Sequence, residues 1–155
     1  MQRSQPLIPF SHDHHHGLVV CRRIQEGLKR NIDPGRITSY VRDFWLKDLE
    51  QHFEEEETLL LPLLDEANIF VKRTKDEHRR LRTLIEQLSE EAPQAKEPIL
   101  AAFTELLNAH IRFEERELFP SMEHEVARER LEEVSKSLKS KPSQPYIWND
   151  AFWKY

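Results

Sequence analysis

The strongest constraint on the fold is an internal repeat that aligns without gaps. Residues 52–64 read HFEEEETLLLPLL and residues 110–122 read HIRFEERELFPSM. Each copy places a glutamate four residues after a histidine, a second glutamate directly after it, and then an apolar pair and a proline at matching offsets. A repeat of this kind is typical of related structural units that pack against each other.

Helical periodicity extends over most of the chain. Only 3 of the 155 residues are glycine, and the abundant leucine, glutamate and arginine are good helix formers. Apolar residues recur at helical spacing in residues 11–30, 37–64, 68–90 and 98–120, and a more charged helical stretch covers residues 122–138. We therefore predict an all-α fold: an antiparallel up-down four-helix bundle with a C-terminal helical extension and an aromatic tail.

The sequence indicates one main domain followed by a short tail. We assign residues 1–140 to the bundle with its extension, and we predict a linker at residues 139–145, across the boundary with the tail. The tail, residues 141–155, carries Trp148, Phe152 and Trp153. Because each aromatic ring can bury a large apolar area, we expect the tail to pack on the bundle.

Composition argues against several classes of partner. The net charge is −5 and the charges are mixed in sign, so nucleic acid is not the expected partner. The longest apolar stretch, residues 59–64, is interrupted by Pro62 and is too short to span a bilayer. The lone Cys21 cannot form an internal disulfide and is expected to be a small core residue. Without an apolar segment of signal-peptide length near residue 1, we expect a cytoplasmic protein. The oligomeric state stays open, a dimer being one alternative.

The repeated His-x-x-x-Glu motif predicts metal binding. Residues four apart lie on one side of a helix, about 6 Å apart along its axis, so His52 can act with Glu56, and His110 with Glu114. Both pairs fall on apolar faces, where an unsatisfied histidine or carboxylate is costly. A metal ion would satisfy them. Mixed nitrogen and oxygen ligands suit iron, manganese or zinc better than calcium or magnesium.

A single histidine precedes each copy, and each follows an acidic residue. His78 shares its helix face with Leu81 and Ile85, which favours an inward position. In the first helix His14 and His15 both qualify as ligands, alone or together. The alternative for all these histidines is a hydrogen-bonded core position, and for the glutamates a solvated helix face. The solvated interpretation fits the neighbouring Glu54, Glu55 and Glu57 better.

At these residues the sequence resembles the hemerythrin-like, or HHE cation-binding, family. The motif SHDHHHGL at residues 11–18, the pair at residues 77–78 and the two repeat copies carry the resemblance, which covers residues 7–122. It implies two iron ions inside a four-helix bundle. One carboxylate from the second helix and one from the fourth, here Glu56 and Glu114, would bridge them. His52 with a first-helix histidine would hold one iron, and His78 with His110 would hold the other.

Two departures from the oxygen-carrying members bear on function. Those proteins have a histidine four residues before the third-helix histidine, where this chain has Thr74. Their fourth-helix carboxylate is often an aspartate five residues after the histidine, where this chain has Glu115 beside Glu114. The pattern favours a protein that binds or senses oxygen, nitric oxide or iron and redox state. The alternatives are a di-iron enzyme, such as an oxidase, a peroxidase or an iron donor in cluster repair, and a metal-free helical interaction module.

Overall fold

The computed structural model describes residues 2–138 and 147–154. This part of the chain is built from helices and contains no strand, so the all-α prediction is confirmed. Helix α1 is Ile8–Lys29, and α2 runs over residues 34–63. Helix α3 is Ile69–Glu90, α4 runs over residues 93–125, and the short α5 is Arg128–Ser137.

Two of the long helices are not regular throughout. Helix α2 consists of Pro34–Phe44, a π-helical turn Trp45–Leu49, Glu50–Glu55, a second π-helical turn Glu56–Leu60 and a closing 3₁₀ turn Leu61–Leu63. Helix α4 consists of Pro93–Phe113, a π-helical turn Glu114–Leu118 and Phe119–Glu125. A π turn of this kind contains one extra residue and is frequently found at functional sites.

The predicted helix limits needed correction in α4. The prediction placed its start at Pro98, whereas the helix begins at Pro93, with Pro98 inside it. Pro93 occupies the first helical position, where a missing N–H costs nothing and the fixed φ angle favours a helix. The helix also continues beyond Pro120, which directly follows the first residue after the π turn.

Helix α4 lies at the centre of the packing. It contacts α1 and α3 along much of their length and also packs on the first part of α2. The buried apolar residues form two clusters. One is represented by Val20, Phe53 and Leu107, and the other by Phe10, Leu60 and Leu118. Along α1, α2 and α4 the chain passes from one cluster to the other, and the buried histidines and glutamates lie between them.

The described part of the aromatic tail lies against α1 and α2. Phe152 is completely buried, and its ring centroid lies 5.3 Å from that of Tyr40. Gly27 makes this contact possible, because a Cβ atom there would lie 2.8 Å from Cε1 of Phe152. The Arg23 guanidinium covers the Trp153 ring at 4.1 Å. The predicted linker at residues 139–145 lies outside the described residues, and the boundary at residue 140 stays a prediction.

In the described part of the chain no helix is both long enough and apolar enough to cross a bilayer.

Candidate metal centre

Each of the four long helices contributes one histidine to a buried polar cluster. The cluster also contains two glutamates, Glu56 from α2 and Glu114 from α4, both with 0 % exposure. Its ligand atoms form two overlapping groups, and within each group they all lie within 4.8 Å of one another. The first group is His14, His52, Glu56 and Glu114, and the second is Glu56, His78, His110 and Glu114. The two glutamates therefore belong to both groups.

Two contacts at the centre join the first half of the chain to the second. Nε2 of His14 in α1 lies 2.9 Å from Oε1 of Glu114 in α4. Nε2 of His78 in α3 lies 3.0 Å from Oε1 of Glu56 in α2. The two contacts correspond to each other in the internal repeat. In each, the histidine that precedes one copy of the repeat contacts the glutamate of the other copy.

The two His-x-x-x-Glu pairs make the corresponding contacts within their own helices. Nε2 of His52 lies 3.3 Å from Oε2 of Glu56, and Nε2 of His110 lies 3.2 Å from Oε1 of Glu114. All four imidazoles therefore direct the same nitrogen, Nε2, towards the centre of the cluster.

The outward-facing nitrogens also have acidic partners. Nδ1 of His14 lies 2.6 Å from Oε2 of Glu115, and Nδ1 of His78 lies 2.8 Å from Oε2 of Glu57. A carboxylate can only accept, so Nδ1–H donates in each pair. In the structure Nε2 of these two histidines also donates, to Glu114 and to Glu56. With a metal ion in place of that proton, the Nδ1–H hydrogen bond would leave the Nε2 lone pair to face the ion, the arrangement in which metal-ligating histidines are commonly held.

His52 and His110 also have a carboxylate at Nδ1. The partners are the acidic residues that directly precede His14 and His78 in the sequence. Nδ1 of His52 lies 3.0 Å from Oδ2 of Asp13. Nδ1 of His110 lies 2.8 Å from Oε1 of Glu77. Every histidine of the cluster thus has one carboxylate at its centre-facing nitrogen and another at its outward-facing nitrogen.

Two of the three π turns in the described residues begin at the shared glutamates. One begins at Glu56 and the other at Glu114, so the repeat extends to this unusual backbone feature. Consecutive residues of a regular helix point about 100° apart. Here both members of each Glu-Glu doublet reach histidines, the first at the centre and the second on a neighbouring helix. The π turns lie where they can widen the helix for this double use.

The charge at the centre favours a cation. Burial lowers the pKa of His52, but the charge of Glu56 and the hydrogen bond to Asp13 outweigh burial and raise the pKa to about 10. Burial likewise lowers the pKa of His110, while Glu114 and Glu77 raise it to about 9. The carboxylates therefore create a strongly negative potential inside the bundle, which protons or a metal ion would neutralise.

Unsatisfied polar atoms point to a metal ion in the same place. Oε2 of Glu56 and Oε2 of Glu114 are buried and form no hydrogen bond among the described residues. Nε2 of His110 is also without one, because its contact with Glu114 is not aligned for hydrogen bonding. Buried polar atoms left in this state are costly unless something else satisfies them. Residue types, burial and orphaned atoms together fit a pair of metal ions.

The structure does not bring every predicted residue into the cluster. His15 was an alternative to His14 or an addition to it, but it is exposed, and its ring lies 6.1 Å from that of the neighbouring His16. The turn of about 100° from His14 carries it away from the core. Thr74 is buried, and its hydroxyl donates to the carbonyl of Phe70 at 2.8 Å, so it is satisfied within its own helix.

The sequence interpretation missed the outward-facing carboxylates. Glu57 was assigned to a solvated face, yet its side chain is only 26 % exposed and accepts from His78. The adjacency of these residues to proposed ligands was visible in the sequence as Asp-His, Glu-His and Glu-Glu doublets. Periodicity alone could not identify them, because neighbours of inward-facing residues are expected to point aside.

A small cavity adjoins one side of the cluster. It is lined by His14, His52 and His110 and by apolar side chains that include Leu49, Phe53, Leu107 and Ile111. It offers about 20 Å³ to the centres of water-sized molecules, and roughly 10–15 Å³ is enough for one such molecule. The cavity therefore has room for one water-sized molecule next to the cluster.

Comparison with known proteins identifies a family for most of the chain. The family model for the hemerythrin HHE cation binding domain matches residues 8–122. This range contains every residue of the cluster and its outward-facing carboxylates. No curated protein and no solved structure gives a significant match to the chain.

Proposed function

We propose that this chain, which belongs to the hemerythrin HHE cation binding domain family, holds two metal ions side by side and uses them to bind or sense a small molecule. The observation that carries the proposal is the pair of overlapping ligand groups that share Glu56 and Glu114. Shared carboxylates can bridge two ions and partly neutralise both. We propose iron as the native metal, with zinc and manganese as alternatives that the same ligands accept.

Each proposed ligand has a defined role. Glu56 and Glu114, which belong to both ligand groups, would be shared by the two ions. His14 and His52 would complete the ligands of one ion, and His78 and His110 would complete those of the other. His15, exposed on α1, is not part of this proposal. Short connections between consecutive long helices support an antiparallel up-down arrangement of the four helices, in which these side chains converge from all sides.

The small molecule that we propose to bind at the metal ions is oxygen or nitric oxide. Bound iron would supply redox chemistry and coordination positions for such a molecule. The chain provides the surroundings: the apolar side chains of Leu49, Phe53, Leu107 and Ile111 limit water beside the His14–His52 pair. Thr74 stands where the oxygen-carrying members have a further histidine, and its hydroxyl is bonded to the carbonyl of Phe70 in its own helix. The centre therefore has four histidines, which favours open coordination over a fully occupied shell.

The remaining parts of the proposal concern organisation and location. We propose that residues 1–140 form one domain and that the tail in residues 141–155 packs on the bundle, a proposal that the contact of Phe152 with Tyr40 supports. We also propose a cytoplasmic protein, since its single thiol, Cys21, is free and buried, as is common where thiols stay reduced.

Elemental analysis tests metal binding directly. Protein produced in iron-rich medium is expected to contain close to two metal ions per chain. Glu114→Ala removes a ligand from both groups and should reduce the content sharply, whereas the matched control Glu54→Ala changes an exposed glutamate of α2 and should not. Absence of metal from the unmodified protein, or equal content in both variants, would contradict the proposal.

Rapid-mixing spectroscopy tests the proposed small ligand. The reduced iron protein is expected to give a stable, reversible absorption change with nitric oxide or oxygen. Fast turnover of oxygen or peroxide into a released product would instead favour the di-iron enzyme, and no spectral change would contradict ligand binding.

A further inference from the structure

The second glutamate of each Glu-Glu doublet connects two halves of the bundle. Helices α1 and α2 form a first hairpin, and α3 and α4 form a second. Glu57 lies in the first hairpin but accepts from His78 in the second. Glu115 lies in the second but pairs with His14 in the first. We propose that Glu57 and Glu115 are positioning residues, each fixing a metal-ligating histidine of the opposite hairpin; this inference rests on the proposed function.

Glu57 is held in place from its other side as well. Its Oε2 atom accepts from Nη2 of Arg82 at 2.8 Å as well as from His78. The cation fixes the carboxylate, and the carboxylate fixes the orientation of the imidazole ring. Phe53 stacks on the His78 ring with centroids 3.8 Å apart, which fixes the ring plane and leaves as the remaining freedom a half-turn about the Cβ–Cγ bond that exchanges Nδ1 with Cδ2. The Glu57 hydrogen bond removes this freedom.

Glu115 has equivalent supports on the opposite side of the molecule. The hydroxyl of Ser11 donates to its Oε2 at 2.9 Å, and Nη2 of Arg3 lies 3.5 Å from its Oε1. The ring of Phe119 stacks on that of His14 at 5.3 Å. The imidazoles of His14 and His78 therefore each have an aromatic ring against one face and, at Nδ1, a carboxylate that is held in place by other side chains.

The other two outward-facing carboxylates do not cross between hairpins. Asp13 accepts from His52 within the first hairpin, and Glu77 accepts from His110 within the second. Only the pairs Glu57–His78 and Glu115–His14, which we call the crossing pairs, join the two hairpins. Through them, each hairpin orients one metal-ligating histidine of the other hairpin. Loss of a crossing pair should weaken the metal centre without removing any atom that binds the metal.

Glutamate at a helix surface would ordinarily be a solvated charge, and Glu54 provides the comparison. It lies three residues before Glu57 on the same helix and is exposed, with no described hydrogen bond from its side chain. If Glu57 served only for solubility, the same substitution at either position would have the same effect on metal retention. If Glu57 positions His78, only its substitution should affect the metal centre.

The test uses the full chain loaded with zinc, which is diamagnetic, and compares Glu57→Ala, Glu57→Gln and Glu54→Ala. Removing an outer carboxylate from a metal-bound histidine typically costs about 10–100-fold in affinity. Glu57→Ala should accordingly lose zinc to a chelator about 10–100-fold faster than the unmodified protein. Glu57→Gln should lie between them, since its amide oxygen still accepts from Nδ1–H but lacks the charge. Glu54→Ala should match the unmodified protein.

Nuclear magnetic resonance provides a readout that a general packing defect would not reproduce. The Nδ1–H proton of His78 should shift or disappear in Glu57→Ala, while those of the other three histidines stay in place. Equal zinc release from Glu57→Ala and Glu54→Ala would overturn the inference. So would faster release accompanied by a matching loss of helical circular dichroism, because the role would then be in folding.

These outcomes differ from a failure of the proposed function itself. An unmodified protein that takes up no zinc and no iron would contradict metal binding as a whole, and this inference with it. An unmodified protein that binds two ions, with Glu57→Ala releasing them no faster, would contradict only the positioning role.

Discussion

Gly17→Ala examines the link between the cavity and the metal centre. Gly17 lies inside α1 beside the cavity, and a Cβ atom there would lie 2.8 Å from Cδ1 of Ile111 in α4. Replacing glycine by alanine in a helix interior stabilises by about 0.5–1 kcal/mol. The opposing cost is the displacement of Ile111, about 0.5–1.5 kcal/mol for a side chain pushed off its rotamer.

These two terms nearly cancel, so folding stability should change by less than about 1 kcal/mol in either direction. Gly17 and Ile111 both line the cavity, so the added methyl and the displaced Cδ1 of Ile111 should narrow the space beside His14 and His52. A diatomic molecule must displace Ile111 against that same cost. Its association rate with the reduced iron protein should fall roughly two- to tenfold.

Stopped-flow mixing with nitric oxide measures the rate, and urea denaturation measures the stability. Gly27→Ala is the matched control in the same helix. Its added methyl would meet the ring of Phe152 and Ile37 rather than the cavity. It should destabilise the protein, by about 1–3 kcal/mol for overpacking, without slowing nitric oxide. Equal association rates for Gly17→Ala and the unmodified protein, or equal slowing by both variants, would refute the prediction that nitric oxide reaches the metal centre through this cavity.

Three further predictions concern the tail, the thiol and pH. Phe152→Ala should destabilise the protein by about 3 kcal/mol in urea denaturation, because a fully buried ring leaves a cavity, whereas Ile147→Ala, at a 75 % exposed position, should have little effect. Burial raises the pKa of the Cys21 thiol to about 12, so a thiol reagent at pH 8 should react only after denaturant is added, and immediate reaction would show that Cys21 is accessible. In chelator-treated protein the raised pKa values are about 10 for His52 and about 9 for His110. The two protonated histidines stabilise the fold fully below their unfolded pKa near 6.5 and cease to do so as pH rises through 9 and 10, so the free energy of unfolding should decline between pH 6.5 and 10, and a rise would contradict the assignment of these histidines as protonated partners of the carboxylates. Metal retention should instead weaken as pH falls.

Much of the candidate site follows from helical geometry. The spacing of four residues between His52 and Glu56, repeated at His110 and Glu114, predicts that each pair shares a face, and the structure places all four in one buried cluster. The all-α class follows from the same periodicity together with the scarcity of glycine. These inferences hold because they depend only on the residue count per turn.

Other features depend on tertiary packing and were not predictable. His14 and His15 are adjacent, and either could face inward until the packing of α1 against α4 decides which does. The π turns at Glu56 and Glu114 arise from i→i+5 hydrogen bonding, for which the repeat contained no separate signal. The role of Glu57 was misassigned for this reason, because a regular helix would have turned it towards solvent.

The central claim is that two metal ions share Glu56 and Glu114, and anomalous X-ray diffraction from a crystal of the iron-loaded protein tests it most directly. Data collected at the iron absorption edge should show two anomalous peaks inside the bundle. Each peak should lie within about 2.0–2.2 Å of a carboxylate oxygen or imidazole nitrogen, and both should contact Glu56 and Glu114. A single peak, or iron found only at the exposed histidines near the start of α1, would contradict the account.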